Sequence, residues 1–199
     1  MIKLKNFIEK NNNFQNSTLI VNDKQAILMD VGHASKVILD YLEEHNIELR
    51  AIFIGYPSFD HILGIDDVLQ KFPLVNVYIN HEGLELLTAK EVDSVSGEII
   101  KPIITEKINN LILVENNTIV KEIGLKIKIF ITNKILKGSQ FFEIPEIKIV
   151  TTGSTSSKIL LNEGNILCNY MDLTNKFASI KEQFAGYNVI PWHNKIFKI

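Results

Sequence analysis

Asp60 and His61 are adjacent and carry the clearest chemistry in this 199-residue sequence. They fall on the turn between an apolar run over residues 51–55, read as a buried strand, and a helix predicted over residues 62–72. In that helix Ile62, Ile65, Val68, Leu69 and Phe72 recur at helical spacing. The turn after a strand is where sites usually form in α/β proteins. A carboxylate next to an imidazole can serve as a pair of metal donors or as an acid and a base. Each residue also has a purely structural reading, with Asp60 capping the helix and His61 bonded to backbone. Ser58 and Ser154 suggest a serine nucleophile with His61 or His193 as base, but no strand–nucleophile–helix elbow surrounds either serine. Cys168 sits in no motif and reads as a small buried apolar residue.

The elements that must position these groups follow from the apolar pattern. Residues 17–21 and 25–29 form a predicted hairpin across the polar turn Asn22-Asp23-Lys24. Asp30-Val31-Gly32 ends the second strand, and Ser35 is expected to cap a helix over residues 35–44 with Ile38, Tyr41 and Leu42 inward. After the strand and helix that flank Asp60 come a strand at 75–79 and a short helix at 82–89. Residues 90–110 have no clear period and read as a cover segment. Strands are predicted at 111–114, 118–120, 125–132, 141–144 and 147–152, then a helix at 176–184 and a strand at 188–191 with His193 just beyond. His33 and His45 read as turn and helix-end residues. This order implies an α/β or α+β chain forming one domain over residues 1–199.

Composition narrows the class. With 46% hydrophobic and 22% charged residues the chain is an ordinary globular protein. A net charge of −2, with Lys and Glu interspersed, gives no electrostatic case for nucleic acid or an anionic membrane. One cysteine cannot form an internal disulfide, and no signal peptide or membrane span is evident, so a cytoplasmic location is expected.

Residues 52–65, Ile-Phe-Ile-Gly-Tyr-Pro-Ser-Phe-Asp-His-Ile-Leu-Gly-Ile, resemble the metallo-β-lactamase superfamily signature His-x-His-x-Asp-His followed by an apolar residue and two glycines. Tyr56 and Ser58 stand at the two leading histidines, Asp60 and His61 match, and Leu63-Gly64 replaces the glycine pair. The opening hairpin with its Asp30-Val31-Gly32 turn is similar to that of small glyoxalase-II-like hydrolases, and His81 falls where these often carry a non-ligand histidine. Residues 125–139 resemble the middle histidine loop, with Gly138-Ser139 matching and Ile135 at the metal histidine. Thr151-Thr152-Gly153-Ser154-Thr155 resembles the segment that supplies the bridging aspartate, with Ser154 in its place. Pro191-Trp192-His193-Asn194 resembles the last ligand loop, with His193 at the ligand. An alternative register makes residues 151–155 the histidine loop and Met171-Asp172 the aspartate segment.

The resemblance implies a four-layer αβ/βα sandwich with its site at the strand ends, and a hydrolytic centre of two zinc or similar ions. Tyr56, Ser58 and Ile135 replace the imidazoles of the first ion, and none is an equivalent donor. The resemblance leaves Asp60, His61 and His193 as ligands for a single ion, with Asp60 the one base at hand. Tyr56, Ser58, Ile135, Ser154 and Trp192 would line the vacated pocket. Two functions are therefore expected to compete: binding of a small molecule or protein partner without the dinuclear centre, or mononuclear hydrolysis of an ester- or thioester-like substrate.

Overall fold

The computed structural model describes residues 1–9, 15–88, 92–93, 99–100, 108–132, 137–152, 184–191 and 197–198. An antiparallel meander opens the chain: β1 (Ile2–Glu9), β2 (Gln15–Asn22) and β3 (Gln25–Met29). The predicted hairpin is β2–β3, and Asp23 makes its turn in the left-handed region at φ 55°, which Asp tolerates through its short polar side chain. β1 was not anticipated. β3 then pairs in parallel with β4 (Glu48–Phe53), β4 with β5 (Asn76–Asn80), and β5 with β8 (Asn110–Val114), completing a six-stranded sheet.

Helix α1 (Ser35–Glu44) returns the chain from β3 to β4. Its boundaries match those expected, but its N-cap is Ala34 rather than Ser35. The Ser35 hydroxyl instead donates to Asp67 at 2.8 Å, tying α1 to the neighbouring helix of the same layer. The single helix expected at 62–72 is two helices, α2 (Phe59–Ile62) and α3 (Ile65–Lys71), separated at Leu63-Gly64. The cause is close packing. A Cβ at position 64 would lie 2.4 Å from the Ser35 Cβ and 2.6 Å from the Gly32 carbonyl oxygen, so only glycine lets this turn approach α1. Helix α4 (His81–Thr88) follows β5. Within the 90–110 segment the structure describes a small ladder, β6 (Val92–Asp93) with β7 (Ile99–Ile100).

The second six-stranded sheet has the order β14-β13-β12-β11-β10-β9, from β9 (Ile119–Glu122), β10 (Leu125–Ile131), β11 (Gln140–Ile144), β12 (Ile149–Thr151), β13 (Asn188–Ile190) and β14 (Phe197–Lys198). The strand expected at 147–152 begins later because Pro145–Ile147 forms a 3₁₀ turn, leaving Lys148 left-handed at φ 49°. The helix expected at 176–184 lies outside the described residues apart from Phe184.

Two apolar layers hold the sandwich. On one face of the first sheet Leu19, Leu28, Ile52, Ile54, Val77 and Ile79 meet Ile38 and Leu42 of α1 and Ile65, Val68 and Leu69 of α3. On the other, Ile20, Ile27, Phe53 and Tyr78 meet Leu125, Ile127, Ile129, Phe142 and Ile144 of the second sheet. Residues 51–54 are buried throughout, as expected for a central parallel strand covered on both sides. Tyr78 also ties the sheets through polar contacts, its hydroxyl donating to Glu122 at 2.6 Å beside Asn76, which donates to the same carboxylate at 2.9 Å. On the outer side of the second sheet Phe184 packs with Phe130, Phe141 and Tyr187.

Candidate functional site

The parallel strands β3, β4 and β5 end on the same side, and the loops leaving them carry Asp30, residues 55–61 and His81. Asp30 takes a left-handed conformation at φ 57°, which turns its carboxylate back toward the end of β4. Its Oδ1 accepts the Gly55 N–H at 2.6 Å, and its Oδ2 lies 3.1 Å from His61 Nδ1. This second contact is a close electrostatic approach rather than an aligned hydrogen bond. It favours the ring tautomer that carries its proton on Nδ1. The backbone reinforces the arrangement, because Val31 N–H donates to the His61 carbonyl at 2.8 Å and Gly64 N–H to the Val31 carbonyl at 2.9 Å.

His61 is 0% exposed. Tyr56 meets its ring edge-on, with centroids 5.9 Å apart. Burial, then the nearby Asp60 carboxylate, push the Tyr56 phenol above its ordinary pKa of 10.0, so it is a neutral hydroxyl at physiological pH. Ser58 occupies the N-cap position of α2, but its hydroxyl is not bonded to the helix backbone; it donates to Asp60 Oδ1. Asp60 lies in the first turn of α2, where its charge suits the helix dipole. Of the residues singled out from sequence, Tyr56, Ser58, Asp60 and His61 thus form one contiguous group. Ile135, Ser154, Trp192, His193, Cys168 and Asp172 lie outside the described residues. His33, His45 and His81 are exposed, and His45 ends α1 with its Nδ1 3.0 Å from the Tyr41 carbonyl oxygen, in keeping with turn and helix-end roles.

The second sheet brings a different wall to the same end. Gln140 donates its backbone N–H to the Gly55 carbonyl at 2.9 Å and its side-chain amide to the Ile54 carbonyl at 2.8 Å. Asn80 donates to Gln140 and to the Gly138 carbonyl, and accepts the Gly83 N–H. Thr132, Ser139, Thr151 and Thr152 have buried hydroxyl oxygens without a hydrogen-bond partner among the described residues. Sequence reasoning placed Ser139, Thr151 and Thr152 in motif segments but did not see them as buried hydroxyls, and it missed Thr132, Asn80, Gln140 and Asp30 as the partner of His61. The signal for Asp30 was the Asp30-Val31-Gly32 turn, read as the end of a strand and as part of the resemblance but given no role at the site.

The donor chemistry here does not fit a pair of metal ions. At two positions where imidazoles would be required stand a neutral phenol turned against His61 and a hydroxyl spent on Asp60. Among the described residues no three of His, Cys, Asp and Glu come together as a metal cluster, and His193, the third member of the expected single-ion set, is not among those residues.

Comparisons with known proteins agree with this architecture. Hydroxyacylglutathione hydrolase 2 of Vibrio vulnificus (strain YJ016) is 37% identical over 81 residues, covering 39% of this chain and 30% of the relative. The hydroxyacylglutathione hydrolase of Aliivibrio fischeri (strain MJ11) is 39% identical over 56 residues, covering 28% of this chain and 22% of the relative. The matched segments span less than a third of those curated relatives. Among solved structures, BLEG-1 B3 metallo-β-lactamase superposes with a TM-score of 0.77 at 18% identity, over 98% of this chain and 93% of that one. TTHA1623 in a di-iron-bound form superposes with a TM-score of 0.72 at 17% identity, over 98% and 94%. These likenesses establish the metallo-β-lactamase fold, of which this chain is a degenerate member with Tyr56 and Ser58 at the leading histidine positions. No helix among the described residues is long and apolar enough to cross a membrane. A family model described as Anti-Pycsar protein Apyc1 matches residues 6–156, taking in most of the meander, the turns that carry Asp30 and His61 and strands β9 to β12 of the second sheet, and the chain belongs to that family.

Proposed function

We propose that this protein acts by binding a small molecule or a protein partner at the strand-end pocket, without a dinuclear hydrolytic centre. The observation that supports this reading is the inward closure of the loop, with Tyr56 against His61 and Ser58 on Asp60. Under this reading Tyr56, Ser58, Ile135, Ser154 and Trp192 line the pocket. An anti-Pycsar role, the one named by the family, would then be exerted by sequestration rather than turnover. A cytoplasmic location and a single domain over residues 1–199 belong to the same proposal.

A second reading is favoured by the Asp30–His61 contact. A carboxylate at the far nitrogen is the arrangement that orients metal-bound imidazoles. Asp60, His61 and His193 would then hold one zinc or similar ion, which would lower the pKa of a bound water for attack on an ester- or thioester-like substrate, with Asp60 as base.

Metal content separates the two. Protein purified without chelator and then titrated with zinc is expected to stay metal-free. Near-stoichiometric metal that is lost in both His61→Ala and Asp60→Asn, in variants whose melting curves remain cooperative, would overturn the binding reading. Absence of metal after titration removes the hydrolase reading.

A further inference from the structure

A cavity of about 320 Å³ lies at the ends of β4 and β5 opposite to the loop that carries Asp60 and His61. It is lined by Glu48, Leu49 and Arg50 at the start of β4, by Lys71 at the end of α3, by the 72–75 turn and by Asn76 at the start of β5. Small-molecule sites begin at roughly 300 Å³ and combine an apolar lining with a few convergent polar groups.

The floor of this cavity is apolar. Leu49 and Val75 are each 3% exposed, and Phe72 packs against the same core. The rim is held in place from outside. Pro73 follows the end of α3, and the Asn109 amide donates to its carbonyl at 2.8 Å while the Asn110 amide donates to the Leu74 carbonyl at 2.7 Å. Leu74 is 74% exposed on this fixed turn. A single exposed leucine is ordinary. Two side-chain amides that fix one beside a cavity make it a built edge.

Charge selects what the cavity can take. Three ionised side chains line it, Arg50, Lys71 and Glu48, so cations outnumber carboxylates. Arg50 Nη1 lies 2.7 Å from Glu48 and Lys71 Nζ lies 3.2 Å from Glu43 of α1, with all four side chains between 46% and 69% exposed. Ion pairs this exposed contribute little, so either cation can exchange its partner for a ligand anion at small cost. Glu122, another carboxylate whose charge reaches Arg50, already accepts hydrogen bonds from Tyr78 and Asn76. A guanidinium grips a carboxylate or phosphate through paired N–H groups, and an ammonium adds a mobile point charge.

We propose that this cavity is a binding site, separate from the strand-end pocket, for a small organic anion. Arg50 and Lys71 hold its carboxylate or phosphate, and its apolar body lies against Leu49, Val75 and Leu74.

Phenyl phosphate is the probe, with inorganic phosphate and benzyl alcohol as its anionic and apolar halves. In amide-resolved NMR titrations of the full chain, phenyl phosphate is expected to move the Leu49, Arg50, Leu74 and Asn76 signals with a Kd of about 1 mM, the strength open to a ligand of this size. Either half alone should bind at least about tenfold more weakly. Arg50→Met should weaken phenyl phosphate binding about tenfold and Lys71→Met about threefold, whereas Glu48→Gln removes a competing carboxylate and should tighten it about threefold. Leu74→Ser should bring phenyl phosphate down to the level of inorganic phosphate. Lys71 and Glu48 lie at the surface, so their variants test the charge rule even if Arg50→Met fails to fold. Signals that stay still at about 20 mM phenyl phosphate, or movement confined to residues 55–61, would overturn the proposal. So would either half binding as tightly as the whole probe, or an affinity indifferent to the charge variants.

Discussion

The two walls of the strand-end site are built on opposite terms. On the first sheet the side chains of the loop face one another: Asp30 contacts Gly55 and His61, Ser58 donates to Asp60, and Tyr56 meets the His61 ring. On the second sheet Thr132, Ser139, Thr151 and Thr152 bury hydroxyls that have no hydrogen-bond partner among the described residues. A buried hydroxyl without a partner costs free energy, so such a group is kept at a site or satisfied by water. The loop that carries Asp60 and His61 spends its polar groups within the protein, whereas the wall whose segments resemble the middle histidine loop and the aspartate segment holds buried hydroxyls with no partner among the described residues.

Substitutions should break this comparison in graded fashion. The largest effect is expected for Asp30→Ala, which strands the Gly55 N–H, removes the carboxylate beside His61 and places alanine in a left-handed conformation. A loss of about 3 kcal/mol in urea unfolding is expected, with the m-value unchanged. Gly64→Ala comes next, because its Cβ meets backbone at Gly32 and the α1 start at Ser35. It should cost about 2 kcal/mol by the same measurement. On the second wall Thr151→Val is expected to be neutral or stabilising by up to about 1 kcal/mol, since it removes a hydroxyl that has no partner among the described residues. A loss of comparable size to that of Asp30→Ala would show the two walls to be energetically alike.

The smallest effect concerns pH. Because burial raises the Tyr56 phenol above 10.0, the neutral form is favoured in the folded state. The corresponding stability is complete below the unfolded-state value and is lost as pH rises through the higher folded-state value. Tyr56→Phe should therefore flatten the alkaline decline of the melting temperature above about pH 10. An unchanged alkaline profile would place Tyr56 outside the tight network.

Much of the first sheet was legible because its strands and α1 bury one regular face or both. The hairpin and the 35–44 helix follow from periodicity, and the apolar run at 51–55 marks the buried part of β4, which begins earlier at Glu48. The break at Gly64 was hidden because Ile62, Ile65, Val68 and Leu69 keep helical spacing across it, while the contact that forces the turn comes from Gly32 and Ser35. β1 escaped notice for a related reason: Leu4 and Ile8 on one face remain exposed and Lys3 and Lys5 precede Phe7 on the other, so no single face marks a core. At the site, Asp60 and His61 stood out by residue type. That His61 is completely buried, with Asp30 as its neighbour, depends on which strand ends lie side by side, a property of the assembled sheet.

Tyr78 reaches both ends of the sandwich. Its backbone carbonyl lies 3.4 Å from the Gln140 amide at the site end, while its phenol is held by Glu122 toward the other. Two fasteners at separate points resist sliding of one sheet over the other, where a single one would act as a pivot. A ligand entering between the strand ends would therefore meet a rigid vice, and accommodation would fall to the connecting loops rather than to any shear between the sheets.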